Sequence, residues 1–584
     1  MGKLMSFLGG GATGTRVPGV TFEVQFFKKD HWVTETVCRT EEEALALAQK
    51  ILPMREGVRV LREFMRPDGA ASTETVIFTE MREVSKKPIT ITPIEEAHYC
   101  QSPKDYFQLE SRTLISKLLR QYLDERSLTP TELMHHPGEM KKVMAFDSLV
   151  PNAVSRVATI QCKASGEDTR ERRDAIYAVL DELKGRAEKA AGYKNLPYPR
   201  EIGFGATMER VEQAVKGDPE EAEYLAKVIL CRDLVNIRTL LGKAEWVMEL
   251  ATAGELEERH AGLLDSIVAD ILSSPETVRD LLGRQPDLGT ALLRLMDIIE
   301  GRFEPTPKEQ APEVSAVLGG WIAGHAGTQT REVLVDFIQR QIRGNAKLSY
   351  GDGEAQRAIF KALLGRVSTV DGILGGPRMA EAFVHGFLRY LEQGGVEGRR
   401  LALDGVLGCI PTGAERLSYL VALSGSDYAQ KDMQTVLGKA RSLLHGAAGV
   451  NGLVPPATPL KAKMQSMAGL YTAMANSAFP ENDRLRMAST LDDMVADYIV
   501  QSRVIEKLDD PSAHLRIRAT RLVQFAATDV LSSPKARRIV RDQIIGHLRQ
   551  PNFDGKLVEG LATAEEKAAV VRNFYDLLNK AQFT

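Results

Sequence analysis

The chain has 584 residues, 43% of them hydrophobic and 6% aromatic, and 75 Lys/Arg stand against 78 Asp/Glu for a formal charge of −3. That near balance carries no global signature for nucleic acid or a membrane surface, so only local patches could serve either. A single core stops growing well before this length, so two to four domains or one extended repeat array are expected, and plentiful Ala, Leu, Glu and Arg favour helix over strand.

Five cysteines, Cys38, Cys100, Cys162, Cys231 and Cys409, lie far apart. No pair has C-x-x-C spacing and the count is odd. Small buried thiols in a reducing cytoplasm are expected, not a disulfide framework or zinc knuckle. No apolar run reaches the roughly 18 residues of a membrane-spanning helix. The N-terminus has no apolar stretch of signal-peptide length.

The opening MGKLMSFLGGGATGTRVPGV matches two short patterns. Gly9-Gly10-Gly11-Ala12-Thr13-Gly14 fits G-x-G-x-x-G, which binds a dinucleotide only between a strand and a helix whose N-terminus meets the pyrophosphate. Pro18 and Gly19 follow too closely for that helix, so a flexible leader is the better reading. Met1-Gly2-Lys3-Leu4-Met5-Ser6 fits the myristoylation pattern, which needs a host with the transferase and would anchor only marginally.

VTFEVQFFKK alternates apolar Phe22, Val24 and Phe26 with polar Glu23 and Gln25 and predicts a half-buried strand. DHW reads as a turn before a second strand, VTETVC. The period then changes. Thr40 is a cap candidate with Glu43 three residues on, and Ala44, Leu45, Ala48 and Ile51 make a helical stripe. GVRVLREFM and TETVIFTEM return to period 2 around Asp68-Gly69, a hairpin signal. Together they form a ββαββ module with antiparallel strands. Trp32, at the first hairpin, is an interface candidate or a plug for the small core.

VSKKPITITPIEEAHYCQSPKD reads as an extended linker. Its Glu96, His98 and Cys100 would share one side of an extended chain, a metal-like set that lacks a visible fourth ligand. Beyond it the pattern is helix after helix. Thr129-Pro130-Thr131-Glu132 is a capping box, and His135-His136 reads as a helix terminus with imidazole against free carbonyls. REVLVDFIQRQIRG presents Leu334, Phe337, Ile338 and Ile342 on one face and ends at Gly344. MAEAFVHGFLRYLEQGG aligns Phe383, Phe387 and Leu391 and stops at Gly394-Gly395. In ALSGSDYAQ, Ser424 or Ser426 caps the following helix. The phrase DILSSPETVRD from Asp270 recurs as DVLSSPKARRIVRD from Asp529, a connector or the trace of a helical repeat.

The resulting division is a leader over 1–17, the ββαββ module over 18–83, a linker over 84–104, and helical blocks over 105–191, 205–302, 312–448 and 460–584. The expected fold is mainly α: a small N-terminal α+β module followed by a long all-α array, either α-solenoid-like or stacked helical bundles.

No nucleophile elbow, Walker A string, kinase set or EF-hand loop occurs. No cofactor and no metal are expected. Charge is more informative: between Arg503 and Arg549 ten Lys/Arg face five Asp/Glu. On helices Arg518 and Arg521 share a face, as do Arg537, Arg538 and Arg541, unless they pair with Asp509, Asp510 or Asp542. The expectation is a non-catalytic, cytoplasmic scaffold, adaptor or regulatory protein that presents a helical surface to protein partners. The partner-binding candidates are Trp32, Arg518, Arg521, Arg537, Arg538 and Arg541. One alternative is an enzyme with a site between helical blocks, built on His98, His325 or His385. The other is a polyanion binder, for nucleic acid or an acidic membrane, using the basic helices. Aromatics for base stacking are sparse there, with only Phe525 nearby, which argues against nucleic acid.

Overall fold

The computed structural model describes residues 20–584 apart from 29–30, 65–72, 82–87, 194–195, 306–311, 370–371, 392, 528–530, 532–533 and 582–584. The glycine string, the Met1–Ser6 pattern, Pro18 and Asp68-Gly69 lie outside the described residues. Chain contacts divide the protein into two compact units, Met1–Ile89 and Thr90–Thr584.

The first unit is the expected ββαββ module. Strands β1 (Val20–Lys28), β2 (His31–Cys38), β3 (Gly57–Phe64) and β4 (Thr73–Met81) form one antiparallel sheet in the order β2-β1-β3-β4. Between β2 and β3 lies the helix Glu41–Ile51, capped by Thr40, whose Oγ1 accepts from the Glu43 amide at 3.3 Å. Period-2 burial puts Phe22, Val24, Phe26, Val58 and Val60 on one face, where Ala44, Ala48 and Ile51 cover them. Alanine at 44 and 48 removes side-chain bulk, so the helix lies close to the sheet. Trp32 is not in the turn. It belongs to β2, opposite Phe27, with the rings edge to face at 5.1 Å. The Arg59 guanidinium lies 4.6 Å from its ring centroid, and Arg59 Nε donates to Gln25 Oε1 at 2.7 Å. The half-buried indole therefore closes a polar-aromatic cluster on the face opposite the helix, because extending the ladder to Trp32 satisfies backbone that a turn would leave to water.

The second unit is a helical array, as the sequence predicts, with one two-residue strand pair, Ser368–Thr369 and Gly372–Ile373. Its main apolar core runs from Phe204 to Ala581, and smaller clusters around Leu225 and Ile229 and around Met140, Val179 and Leu183 lie beside it. Residues 90–101 have no regular secondary structure but are held against the helices. Thr92 donates its amide to the Leu118 carbonyl at 2.9 Å, and Arg172 Nη2 donates to the Cys100 carbonyl at 2.6 Å. The helix Gly376–Phe387 ends earlier than its pattern suggests and passes into a short 3-10 turn at Leu388–Tyr390. Arg389 there donates to the Ile342, Gly344 and Ala346 carbonyls, so a tertiary clamp stops the helix before the Gly394-Gly395 signal.

The most consequential packing is polar. The capping box at Thr129 forms as expected, but Glu132 is fully buried. Its Oε1 accepts from Lys243 Nζ at 2.5 Å, with side-chain exposures of 1% for the lysine and 0% for the glutamate. Lys243, on Leu240–Thr252, also donates to the Ser127 carbonyl at 2.6 Å. Burial pushes the Glu132 carboxyl up, against Lys243 and the Thr129 donors. Beside it Arg112 Nε meets Asp270 Oδ1 at 2.8 Å. The other guanidinium nitrogens donate to Phe107 O, Ser266 O and Gln329 Oε1. Asp270 Oδ2 accepts from the Thr131 hydroxyl at 2.6 Å and from its amide at 3.1 Å. One turn earlier on the same helix, Glu258–Leu272, Asp265 accepts from the Gln329 and Thr330 amides and so starts the helix Thr328–Arg343.

His135 meets a carbonyl, as its position suggests, and His136 caps the next helix by accepting from the Glu139 amide. His135 Nδ1 lies 2.8 Å from the Thr131 carbonyl. A carbonyl only accepts, so the proton is on Nδ1 and Nε2 carries a lone pair without a partner. The ring sits between Phe107 and Tyr224. Burial, and next the Lys227 charge, hold its pKa down to about 3.

Two outcomes follow. Lys243→Ala leaves a buried carboxylate unpaired and is expected to lower stability by about 3–5 kcal/mol, whereas Glu132→Gln/Lys243→Met regains most of that. Urea unfolding followed by helical circular dichroism measures both, and equal losses would contradict the pairing. For His135 the unfolded chain takes up a proton below about pH 6.5 while the folded one does not until about pH 3. Its stabilisation is therefore complete above about 6.5 and declines as pH falls, by up to about 1.4 kcal/mol per unit. His135→Gln should be less stable at neutral pH and show a shallower decline between pH 6.5 and 5 than the parent chain.

Candidate functional site

The helical unit carries a large polar groove of about 910 Å³. Each wall follows from helical spacing. On Leu109–Leu118 the residues Glu110, Thr113, Leu114 and Lys117 recur at three- and four-residue steps and face the groove. On Thr328–Arg343 the facing residues include Glu332, Asp336, Gln339, Arg340 and Arg343, while Leu334, Phe337, Ile338 and Ile342 are buried in the core. Arg378 and Glu381 come from Gly376–Phe387, and Ser426 and Asp427 from the start of the helix Asp427–Gly446. Glu95, Glu96 and His98 complete the rim. Seven Asp/Glu thus face four Lys/Arg.

Two of the four cations are already engaged. Arg340 Nε lies 2.9 Å and Lys117 Nζ 3.7 Å from Asp336 Oδ2. Glu381 accepts from His385 Nε2 at 3.3 Å and from the Tyr428 amide. The His385 hydrogen bond holds the Glu381 carboxyl below its usual range against a desolvation that would raise it. Ser426 caps the helix Asp427–Gly446 by accepting from the Ala429 amide at 3.4 Å. Gly375 lets two walls meet. Its φ is +79°, and an added Cβ would lie 2.9 Å from Val335 Cγ1.

The histidines considered as catalytic do not assemble. His98 lines the groove on one side, His385 is tied to Glu381 on another, and His325 ends a different helix with φ +63°. Glu96, His98 and Cys100 do not gather into one ligand set. Cys100 turns inward, its Sγ 3.3 Å from Ser111 Oγ, while Glu96 and His98 are exposed. Among the described residues no three His, Cys, Asp or Glu are grouped to hold a metal ion.

The basic candidates lie on neighbouring helices, Leu515–Ala526 and Pro534–Leu548. Arg518 Nε is 3.5 Å from the buried Asp509, which also sits 2.8 Å from His547 Nε2 and accepts from Gln543. Arg518 thus helps join the two helices. Arg537 Nε donates to the Leu531 carbonyl, and Arg521, Arg538 and Arg541 are exposed. Trp32 is in the other unit, half-buried under Arg59.

The groove residues Lys117, Asp336, Arg340, Arg378 and Glu381 have no motif. Only the second, charged face of REVLVDFIQRQIRG signals them, at steps 332, 336, 340 and 343, and it resembles an ordinary solvated face. No protein-family model, no curated protein and no solved structure matches the chain.

Gly375→Ala is expected to cost about 1–3 kcal/mol, from the left-handed backbone and the contact with Val335. Thermal unfolding checks it; an unchanged midpoint would show that the two walls separate without cost.

Proposed function

We propose that the chain is a non-catalytic, cytoplasmic binding protein of scaffold or adaptor type, and that its helical unit holds a basic polypeptide segment in the groove. The observation that carries the reading is the groove itself: about 910 Å³, with seven Asp/Glu against four Lys/Arg. Asp336 occupies two of those cations, and the rim carboxylates Glu95, Glu96, Glu110 and Glu332 are exposed. Such a surface favours cationic partners and disfavours polyanions. All five cysteines are unpaired and four are buried, which supports a reducing compartment. Among the described residues no helix is long and apolar enough to cross a membrane.

An enzyme reading has one observation in its favour, that His98 and Glu381 line the same groove. Glu381 is committed to His385 and the Tyr428 amide, and a carboxylate held below its usual range is a weak base. Binding is therefore the better account.

A ten-residue Lys/Arg-rich peptide should bind the full chain, measured by fluorescence anisotropy, with affinity falling as salt rises. Glu110→Lys/Glu332→Lys should weaken it at least about ten-fold. Arg521→Glu/Arg538→Glu should leave it unchanged. Equal affinity for the parent chain and the groove variant would overturn the reading.

A further inference from the structure

The helix Leu109–Leu118 has a second lined face. Behind it, among helices Pro130–His135, Pro137–Met144, Leu149–Ser165 and Thr169–Ala191, lies a cavity of about 130 Å³. Its wall is almost entirely aliphatic, with Ile115, Leu118, Leu133, Val154, Ile176 and Leu183 among its residues. Three methionines, Met134, Met140 and Met144, also face it. Unbranched thioether side chains adapt to a guest more readily than branched ones.

Beside the Tyr106 hydroxyl and the His98 imidazole, the polar groups of the wall are paired among themselves and with their neighbours. Cys100 Sγ and Ser111 Oγ face each other at 3.3 Å. Gln161 accepts from Arg172 Nε at 2.8 Å and donates to the His98 carbonyl. Water in such a space would find too few partners, so the cavity is one that an apolar guest fills better than solvent. Native interiors hold few voids larger than a water molecule, and an unfilled one lowers stability in proportion to its volume. An engineered aliphatic cavity of roughly 150 Å³ stays dry and takes up benzene, so about six carbons fit here.

The cavity also has a polar side. His98 and Leu114 line both the cavity and the 910 Å³ groove, so these two side chains stand between them. His98 is exposed and Leu114 half-buried.

We propose that the cavity binds a short-chain amphiphile, with an unbranched chain of about six carbons among the aliphatic residues and its polar end directed past His98 and Leu114 into the groove. The chain gains burial against the aliphatic residues, and the head group keeps its contact with water. This site adjoins the proposed peptide groove at His98 and Leu114 but does not rest on that reading, and its test uses no peptide.

The test is titration of the full chain, carrying ¹³C-methyl methionine, with 1-hexanol, read by the methyl resonances of its 18 methionines. The expected result is saturable shifts at Met134, Met140 and Met144, with the other methionines unmoved. Ala153→Leu adds three side-chain carbons to the cavity wall from Leu149–Ser165 and should abolish those shifts. 1,6-Hexanediol, which must bury a second hydroxyl, should bind about ten-fold more weakly. Shifts spread over methionines outside the cavity, shifts that persist in a folded Ala153→Leu chain, equal binding of the diol, or no shift would each overturn the proposal. If Ala153→Leu does not fold, the location of the shifts in the parent chain decides.

Discussion

The helical unit depends on a buried set of charges that must all be paired. Arg112, Asp270, Glu132 and Lys243 come from four helices and are almost wholly removed from water. Desolvating any one of them alone would be prohibitive, so each helix can sit only where its partner's charge is within reach. Gln329 extends the constraint from Arg112 to Thr328–Arg343, and Asp265 starts that helix by accepting its first amides. Aliphatic packing elsewhere in the core tolerates small sliding motions. This network does not, because a displaced donor leaves a bare buried acceptor.

The same constraint sets the geometry of the groove and the cavity. Leu109–Leu118 carries Arg112 into the network, and from that fixed position it turns Glu110 and Lys117 toward the groove and Ile115 and Leu118 toward the cavity. Thr328–Arg343, anchored at its start by Asp265, supplies the opposite groove wall. A polar concavity and an apolar one thus share a wall that cannot move independently of the core. In the N-terminal module the organising force is different. There a sheet face of Phe22, Val24, Phe26, Val58 and Val60 lies under alanines on one helix, and Arg59 and Trp32 form a polar-aromatic cluster on the far face.

Much of this fold is legible residue by residue. The period-2 runs give four strands in antiparallel pairing, and Thr40, Thr129 and Ser426 cap the helices their positions predict. Trp32 is misplaced by local reasoning because the DHW string resembles a turn, and only pairing with Phe27 and stacking by Arg59 draw it into the strand. The candidate sites are much less legible. The basic run near the C-terminus stands out in composition, yet Arg518 contributes to holding two helices together through Asp509. Lys117, Asp336 and Glu381, which shape the groove, look like ordinary surface charges in the sequence.

The sequence by itself determined the local choices: where period 2 gives way to period 3.6, which residue caps each helix, and which stripe of each element is apolar. Those depend on interactions spanning a few residues. Tertiary structure alone decided that Glu132 is a buried ion rather than a capping carboxylate in water, that Arg112 meets a carboxylate 158 positions away, and that one helix separates a polar groove from an apolar cavity. The physical reason is that burial and charge pairing are properties of the assembled neighbours. A glutamate at the third position of a helix has the same local chemistry whether a lysine arrives beside it or not.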